Sequence, residues 1–200
     1  MSVRPHSPRL PAARRRSQLL EVALEVFGER GFHTTSMNDV AVAAGVTKPV
    51  LYQHFRSKRD LYREVLTDVG ALLLDEITKA TAAATTPHEQ VEIGFRAYFR
   101  FVAANEAAFR VLFGGGTRRD EEFAAHVAKV EAAIADAIAT LIDVEGLSDA
   151  SRRQLAHGLV GLAEGTSRLW MAEGAEQPPE ELARLVAALA WRGLRGLGSV

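Results

Sequence analysis

The stretch SMNDVAVAAGVTKPVLYQHF, Ser36 to Phe55, constrains the fold more than any other part of the chain. Met37, Val40, Ala41 and Ala44 recur at three- and four-residue steps and give a short helix one apolar face. Ser36 stands at its N-cap with Asp39 three residues on, an imperfect capping box, and Gly45 stops it. Thr47 is a second N-cap candidate. That placement accommodates Pro49, because in a first helical turn its missing N–H costs nothing. A second short helix is therefore expected over 48–54, with Leu51 and Phe55 packing inward on Phe27 and Val40. Two short helices joined by the tight turn AAGVT are a helix-turn-helix signature. In that motif the second helix lies in the major groove with its N-terminal residues at base edges.

The rest of the chain is helical by period. Leu19, Ala23, Val26 and Phe27 predict a helix over 13–30, ended by Gly31. Ser57 is the N-cap of a long helix from Lys58 to about Ala83. Further helices are expected near 88–104, 105–114, 118–143, 148–173 and 179–197, separated by Gly and Pro. No period-two strand pattern appears. The fold class is all-α with about nine helices. A flexible basic arm is expected at 1–13, a three-helix DNA-binding head at 14–57, and a helical regulatory and dimerisation core at 58–200.

Charge sharpens this division. Residues 1–63 carry 11 Lys and Arg against five Asp and Glu, a net +6; residues 64–200 carry 13 against 20, a net −7; the whole chain has −1. A basic first third on an acidic body points to a polyanionic partner for the N-terminal part. The chain has no Cys, which excludes disulfides and thiolate metal sites and fits a reducing cytoplasm. No apolar run approaches the roughly 20 residues of a membrane span, and no apolar signal core follows the basic N-terminus. The six His residues do not pair at metal-ligand spacing. No G-x-S-x-G elbow or dinucleotide fingerprint is present, so neither an enzyme nor a cofactor is expected.

Residues 23–62, ALEVFGERGFHTTSMNDVAVAAGVTKPVLYQHFRSKRDLY, resemble the TetR-type one-component transcriptional regulators. The match lies in G-F-x-x-T-S spacing, V-A-x-x-A-G-V, and a recognition helix ending L-Y-x-H-F-x-S-K-x-x-L. Pro49 departs from the family, where Gly or Ser is commoner. The resemblance implies a homodimer that binds a palindromic double-stranded operator. It also implies a helical core that holds a small apolar or amphipathic effector, and a repressor released when that effector moves the fourth helix. The alternative is a helical small-molecule or lipid carrier whose head serves assembly only.

The candidate DNA contacts are Thr35, Ser36, Thr47, Lys48, Pro49, Tyr52, His54 and Lys58. Arg14, Arg15 and Arg16 are expected to track phosphates or enter the minor groove, with a solubilising tail as the alternative. For the effector, the middle helices offer Phe95, Tyr98, Phe99, Val102, Phe109, Phe113, Phe123 and Val127. His126, Glu164 and Arg168 are the polar candidates, and plain core packing is the competing reading. Leu155, Gly158, Leu159, Leu162, Gly165 and Leu169 on one helix, and Leu182, Leu185, Val186 and Leu189 on the last, are the candidate dimer surface, with packing of the same faces inside the chain as the alternative. Small residues on an apolar face permit close helix approach.

Overall fold

The computed structural model describes residues 12–144 and 146–196. Among these residues there are ten helices and no strand. α1 (Ala12–Arg30), α2 (Met37–Ala43) and α3 (Lys48–His54) precede the long α4 (Lys58–Thr81). α5 (Pro87–Ala104), α6 (Glu106–Phe113), α7 (Gly115–Arg119), α8 (Glu121–Ala139), α9 (Asp149–Ala172) and α10 (Pro179–Gly196) complete the body. The arm expected at 1–13 falls on residues 1–11, outside the described residues, and on Ala12 and Ala13, which begin α1.

The additional element is α7. The GGG run reads as a flexible connection, yet Gly115–Arg119 forms a helical turn with Thr117 buried. Asp120 then breaks the chain and caps α8, its Oδ1 accepting from the backbone N–H of Glu122 (3.2 Å) and Phe123 (3.3 Å). The helix expected over 118–143 accordingly runs from Glu121 to Ala139.

Local chemistry explains the head. The capping box of α2 is complete: Ser36 N–H donates to Asp39 Oδ2 (2.8 Å), and Asp39 N–H donates to Ser36 Oγ (3.2 Å). The Ser36 hydroxyl and N–H hold the Asp39 carboxyl below the usual carboxylate range. Gly45 takes φ +64°, which lets the chain turn between the two short helices at little steric cost. Pro49 lies in the first turn of α3, where no helical donor is lost. Leu51, Phe55, Val40 and Phe27 are all buried and form the centre of the head.

α1 packs on α2, α4 and α6, and α4 packs also on α5 and α8; α10 lies along α5, and α8 along α9. One apolar cluster runs from Leu19 in the head to Ala190 in α10, so the core is continuous across the junction at Ser57. The α1–α6 crossing depends on Gly28. A Cβ there would lie 2.6 Å from Ala107 Cβ and 2.7 Å from Ala107 Cα. Among the described residues no helix is long and apolar enough to cross a membrane.

Gly28→Ala should therefore destabilise the protein by about 1–3 kcal/mol through overpacking. Helix propensity alone would stabilise it by about 1 kcal/mol. The sign of the change in the urea midpoint decides between them, and a rise would show that α1 and α6 can separate freely.

Candidate functional site

The outer face of α3 is free of intrachain partners at the residues best suited to meet DNA. Thr47, Lys48, Pro49, Tyr52 and Gln53 are exposed. Thr47 makes no side-chain cap bond, leaving its hydroxyl available. Lys48 Nζ lies 6.0 Å from the Tyr52 ring centroid, so cation and phenol share one surface. His54 is half-buried at the far end of the helix. Gln53 was not among the expected residues; its exposed amide on the same short helix is the signal that could have found it.

Several other expected DNA contacts sit elsewhere. Thr35 is buried, and its Oγ1 donates to Gly31 O at 2.8 Å. The Ser36 hydroxyl is engaged with Asp39. Arg14, Arg15 and Arg16 are helical, in the first turns of α1. Arg15 donates to Gln18 (2.7 Å), and Arg16 folds back onto Glu64 (2.8 Å) and the Phe55 ring. Arg14 alone of the three is plainly exposed.

Lys58 departs most from expectation. Its Nζ points into the protein, donating to Phe32 O and Thr35 O, both at 2.8 Å, and lies 4.3 Å from the Phe32 ring centroid. Burial, reinforced by the neighbouring Arg59, lowers its pKa. The residues that follow are tied in a different direction. Arg59 pairs with Asp120 and Glu122, each at 2.6 Å. The Arg59 hydrogen bond is the main reason the Asp120 carboxyl sits below its ordinary pKa. Tyr62 is buried, its hydroxyl 2.5 Å from Thr117 Oγ1, which itself donates to Val111 O (2.8 Å). The first turns of α4 thus hold the α1–α2 loop on one side and α6, α7 and α8 on the other.

The other half of α4 walls a cavity. Leu73, Ile77 and Thr81 line a space of about 300 Å³ together with α5, α8, α9 and α10. Of the expected effector residues, Phe95, Tyr98, Phe113, Val127 and Glu164 face it. The remaining ones do not. Phe99, Val102, Phe109 and Phe123 are core: Phe99 stacks edge-on with Trp170, Phe109 pairs with Phe113, and Phe123 packs on Phe32 and Tyr62. His126 bonds Thr67 across the α4–α8 seam (2.8 Å), and burial with nearby Lys129 and Arg63 lowers its pKa. Arg168 is exposed and pairs with Glu164 (3.0 Å). Arg118 pairs with the same carboxylate. Gln90, Glu131, Ile134, Trp191 and Arg195 also line the space and were not anticipated. Their register toward α4 is set by tertiary packing, so no local pattern marks them.

The expected dimer residues divide as well. Leu182 and Val186 are buried, on the helix that lies along α5. Leu159 lines the cavity, and Leu155 and Leu162 are half-buried against the chain's own core. Leu169, Leu185 and Leu189 stay 61, 52 and 63% exposed. Gly158, Gly161, Gly165 and Gly193 face open space, with nothing beyond their own helix backbone within 4 Å of a would-be Cβ. α9 and α10 therefore present a smooth, small-residue apolar face that the chain itself leaves uncovered.

A family model described as "Bacterial regulatory proteins, tetR family" matches residues 19–65, and one described as "Tetracyclin repressor-like, C-terminal domain" matches residues 87–193, more than half the chain. The chain belongs to the TetR family. The HTH-type transcriptional activator FasR of Mycolicibacterium smegmatis is 34% identical over 187 residues, covering 93% of this chain and 85% of that protein. A TetR-like transcriptional regulator from Rhodococcus sp. RHA1 superposes with a TM-score of 0.76 at 30% identity, over 94% of this chain and all of that one. The transcriptional regulator FadR from Bacillus subtilis, in complex with stearoyl-CoA, superposes with a TM-score of 0.76 over 87% of this chain and 96% of its own. At 18% identity that likeness shows the shared fold.

As a TetR-family protein, this one is a DNA-binding transcriptional regulator. The inward set of Lys58 makes a specific statement about its head. Lys58→Met should remove a partner from two carbonyls and lower stability by about 1–3 kcal/mol. The dependence of DNA affinity on salt should stay as in the unmodified protein, because no phosphate contact is lost. A slope reduced by about one would return Lys58 to the DNA.

Proposed function

We propose that the protein is a homodimeric, effector-responsive repressor that a small apolar or amphipathic molecule releases from a palindromic operator. The observation that carries this reading is the double duty of α4: its first turns anchor the helix-turn-helix head, and its last turns wall the cavity. Filling the cavity against Leu73, Ile77 and Thr81 displaces α4. The head must follow, because Lys58 holds the α1–α2 loop. The division into a head at 14–57 and a regulatory core at 58–200 belongs to this proposal, with α4 as the lever between them.

Thr47, Lys48, Pro49, Tyr52 and Gln53 meet the major groove in this reading, and Arg14 reaches a flanking phosphate. Pro49 offers no N–H, so the start of α3 contacts DNA through the Thr47 hydroxyl and the Lys48 ammonium. The apolar lining, together with the stearoyl-CoA held by the B. subtilis relative in fold, makes fatty acyl compounds the first effector class to test. Gly158, Gly161, Gly165 and Leu169 of α9, with Leu185, Leu189 and Gly193 of α10, form the contact between subunits. Packed against the same face of a second copy, these glycines let the helix backbones approach closely.

Selection from random duplexes should return a palindrome whose half-sites are about one helical turn apart or a multiple of it. Affinity for it should fall about 10³-fold between roughly 50 and 200 mM salt. Lys48→Ala should reduce that salt slope by about one, and Tyr52→Ala should weaken binding with the dimer intact. No sequence preference and a flat salt response together would favour a carrier over a regulator.

Placing charge on the uncovered face tests the assembly. The double variant Leu169→Glu, Leu189→Glu should sediment as a folded monomer and lose its preference for a palindrome over a half-site. A dimer that persists would move the interface elsewhere.

A further inference from the structure

The cavity has a closed end and an open one. Three contacts show that α8 runs beside α4 in the same direction: Arg59 with Glu122, Thr67 with His126, and Gly70 with Val130. α5 returns along α4 from Pro87, and α10 runs against α5, with Glu180 on Arg100 and Trp191 on His88. Tyr98, Leu112, Phe113, Val127 and Ala163 are therefore gathered at the end nearest the head, and all are buried. Among the described residues, the exposed members of the lining are Pro87, Leu141, Asp143 and Arg195, and they lie at the other end. The floor of the cavity faces the head, and its mouth opens away from it.

Shape and volume limit what can enter. A cavity of about 150 Å³ takes one benzene ring. At about 300 Å³ this one takes about twice as many carbons, on the order of twelve. A charged or strongly hydrated head costs free energy to bury without partners, so it stays at the mouth beside water. The apolar tail goes in first. Its methylenes gain from burial until the end reaches the floor. Further methylenes remain in water or force the floor apart, and overpacking a close-packed core is itself unfavourable.

We propose that the effector is a single-chain amphiphile bound tail first, and that the closed floor acts as a ruler selecting saturated chains of up to about twelve carbons. The inference rests on the reading of this cavity as the effector site and adds to it an orientation and a length limit. The chain enters between Trp191 and Leu141, passes Ile138 and Ile134, and ends against Phe113 and Ala163. A stearoyl chain, as carried by the ligand of the B. subtilis relative in fold, is longer than this limit.

Saturated fatty acids from octanoate to hexadecanoate, kept below micelle-forming concentrations, are the probes, and Trp191 in the cavity wall reports their binding by fluorescence. Affinity should rise about fourfold for each added methylene up to about twelve carbons and gain nothing beyond. Ala163→Leu fills part of the floor and should move this break to shorter chains. Phe113→Leu empties part of it and should move the break to longer ones. Octanoate affinity should be unchanged in both variants, which also shows that they are folded with an open mouth. A rise that continues unbroken to hexadecanoate, or a break that neither variant moves, overturns the ruler and leaves the cavity reading standing. Binding of no chain to the unmodified protein overturns the cavity reading and this inference with it.

Discussion

The way the first turns of α4 are held governs the rest of the structure. A half-buried ammonium, Lys58, satisfies two backbone carbonyls of the α1–α2 loop and rests on the face of Phe32. The adjacent Arg59 clasps the start of α8, and one turn later Tyr62 is buried against Thr117 and Val111 O. Surface ion pairs such as Arg59–Glu122 contribute little alone. The buried hydrogen bonds of Lys58 and Tyr62 are costlier to break, because each would strand a polar group away from water. A 24-residue helix is about 36 Å long. Fixed at one end to the head and lining a cavity at the other, α4 joins the two, and α6 does so as well, packing on α1 and lending Leu112 and Phe113 to the cavity wall.

The turn α7 acquires a role in this arrangement. Thr117 bonds Tyr62 of α4, Arg118 reaches the cavity carboxylate Glu164, and Asp120 receives Arg59. Three of the four residues 117–120 therefore touch either the head-proximal turns of α4 or a carboxylate of the cavity wall. Gly114 before it is required sterically, because a Cβ there would collide with Arg110 O. A second physical contrast lies on the outside. Glycine within a helix costs about 1 kcal/mol relative to Ala, and Gly28 and Gly70 offset that cost by letting α1 meet α6 and α4 meet Val130 of α8. Gly158, Gly161 and Gly165 make no such intrachain approach. The proposed subunit contact supplies the missing reason for them.

Much of the helix layout was legible because its causes are local. The Ser36–Asp39 box, the positive-φ Gly45, Pro49 in a first turn and Ser57 before Lys58 each act over three or four residues. Apolar periodicity likewise identified Leu19, Phe27, Leu51 and Phe55 as core. The site was legible only in part. Tyr52 and Lys48 were expected on the exposed face of α3 and are there, whereas Thr35 and Lys58 carry the right chemistry in an inward direction. Aromatic richness pointed to the middle helices but did not separate Phe95 and Phe113, which face the cavity, from Phe99 and Phe123, which fill the core.

The sequence by itself determined the all-helical class, the helix-turn-helix and the family, because capping, turn conformation and 3.6-residue periodicity are properties of neighbouring residues. Tertiary structure alone decided which polar groups are already engaged and which remain free. Lys58 finds its carbonyls 23 and 26 residues away, Arg59 its carboxylates 61 and 63 away, and Arg118 its Glu164 46 away. No local spacing encodes such pairings. They follow from helix crossings set by packing, and those same crossings enclose the apolar cavity.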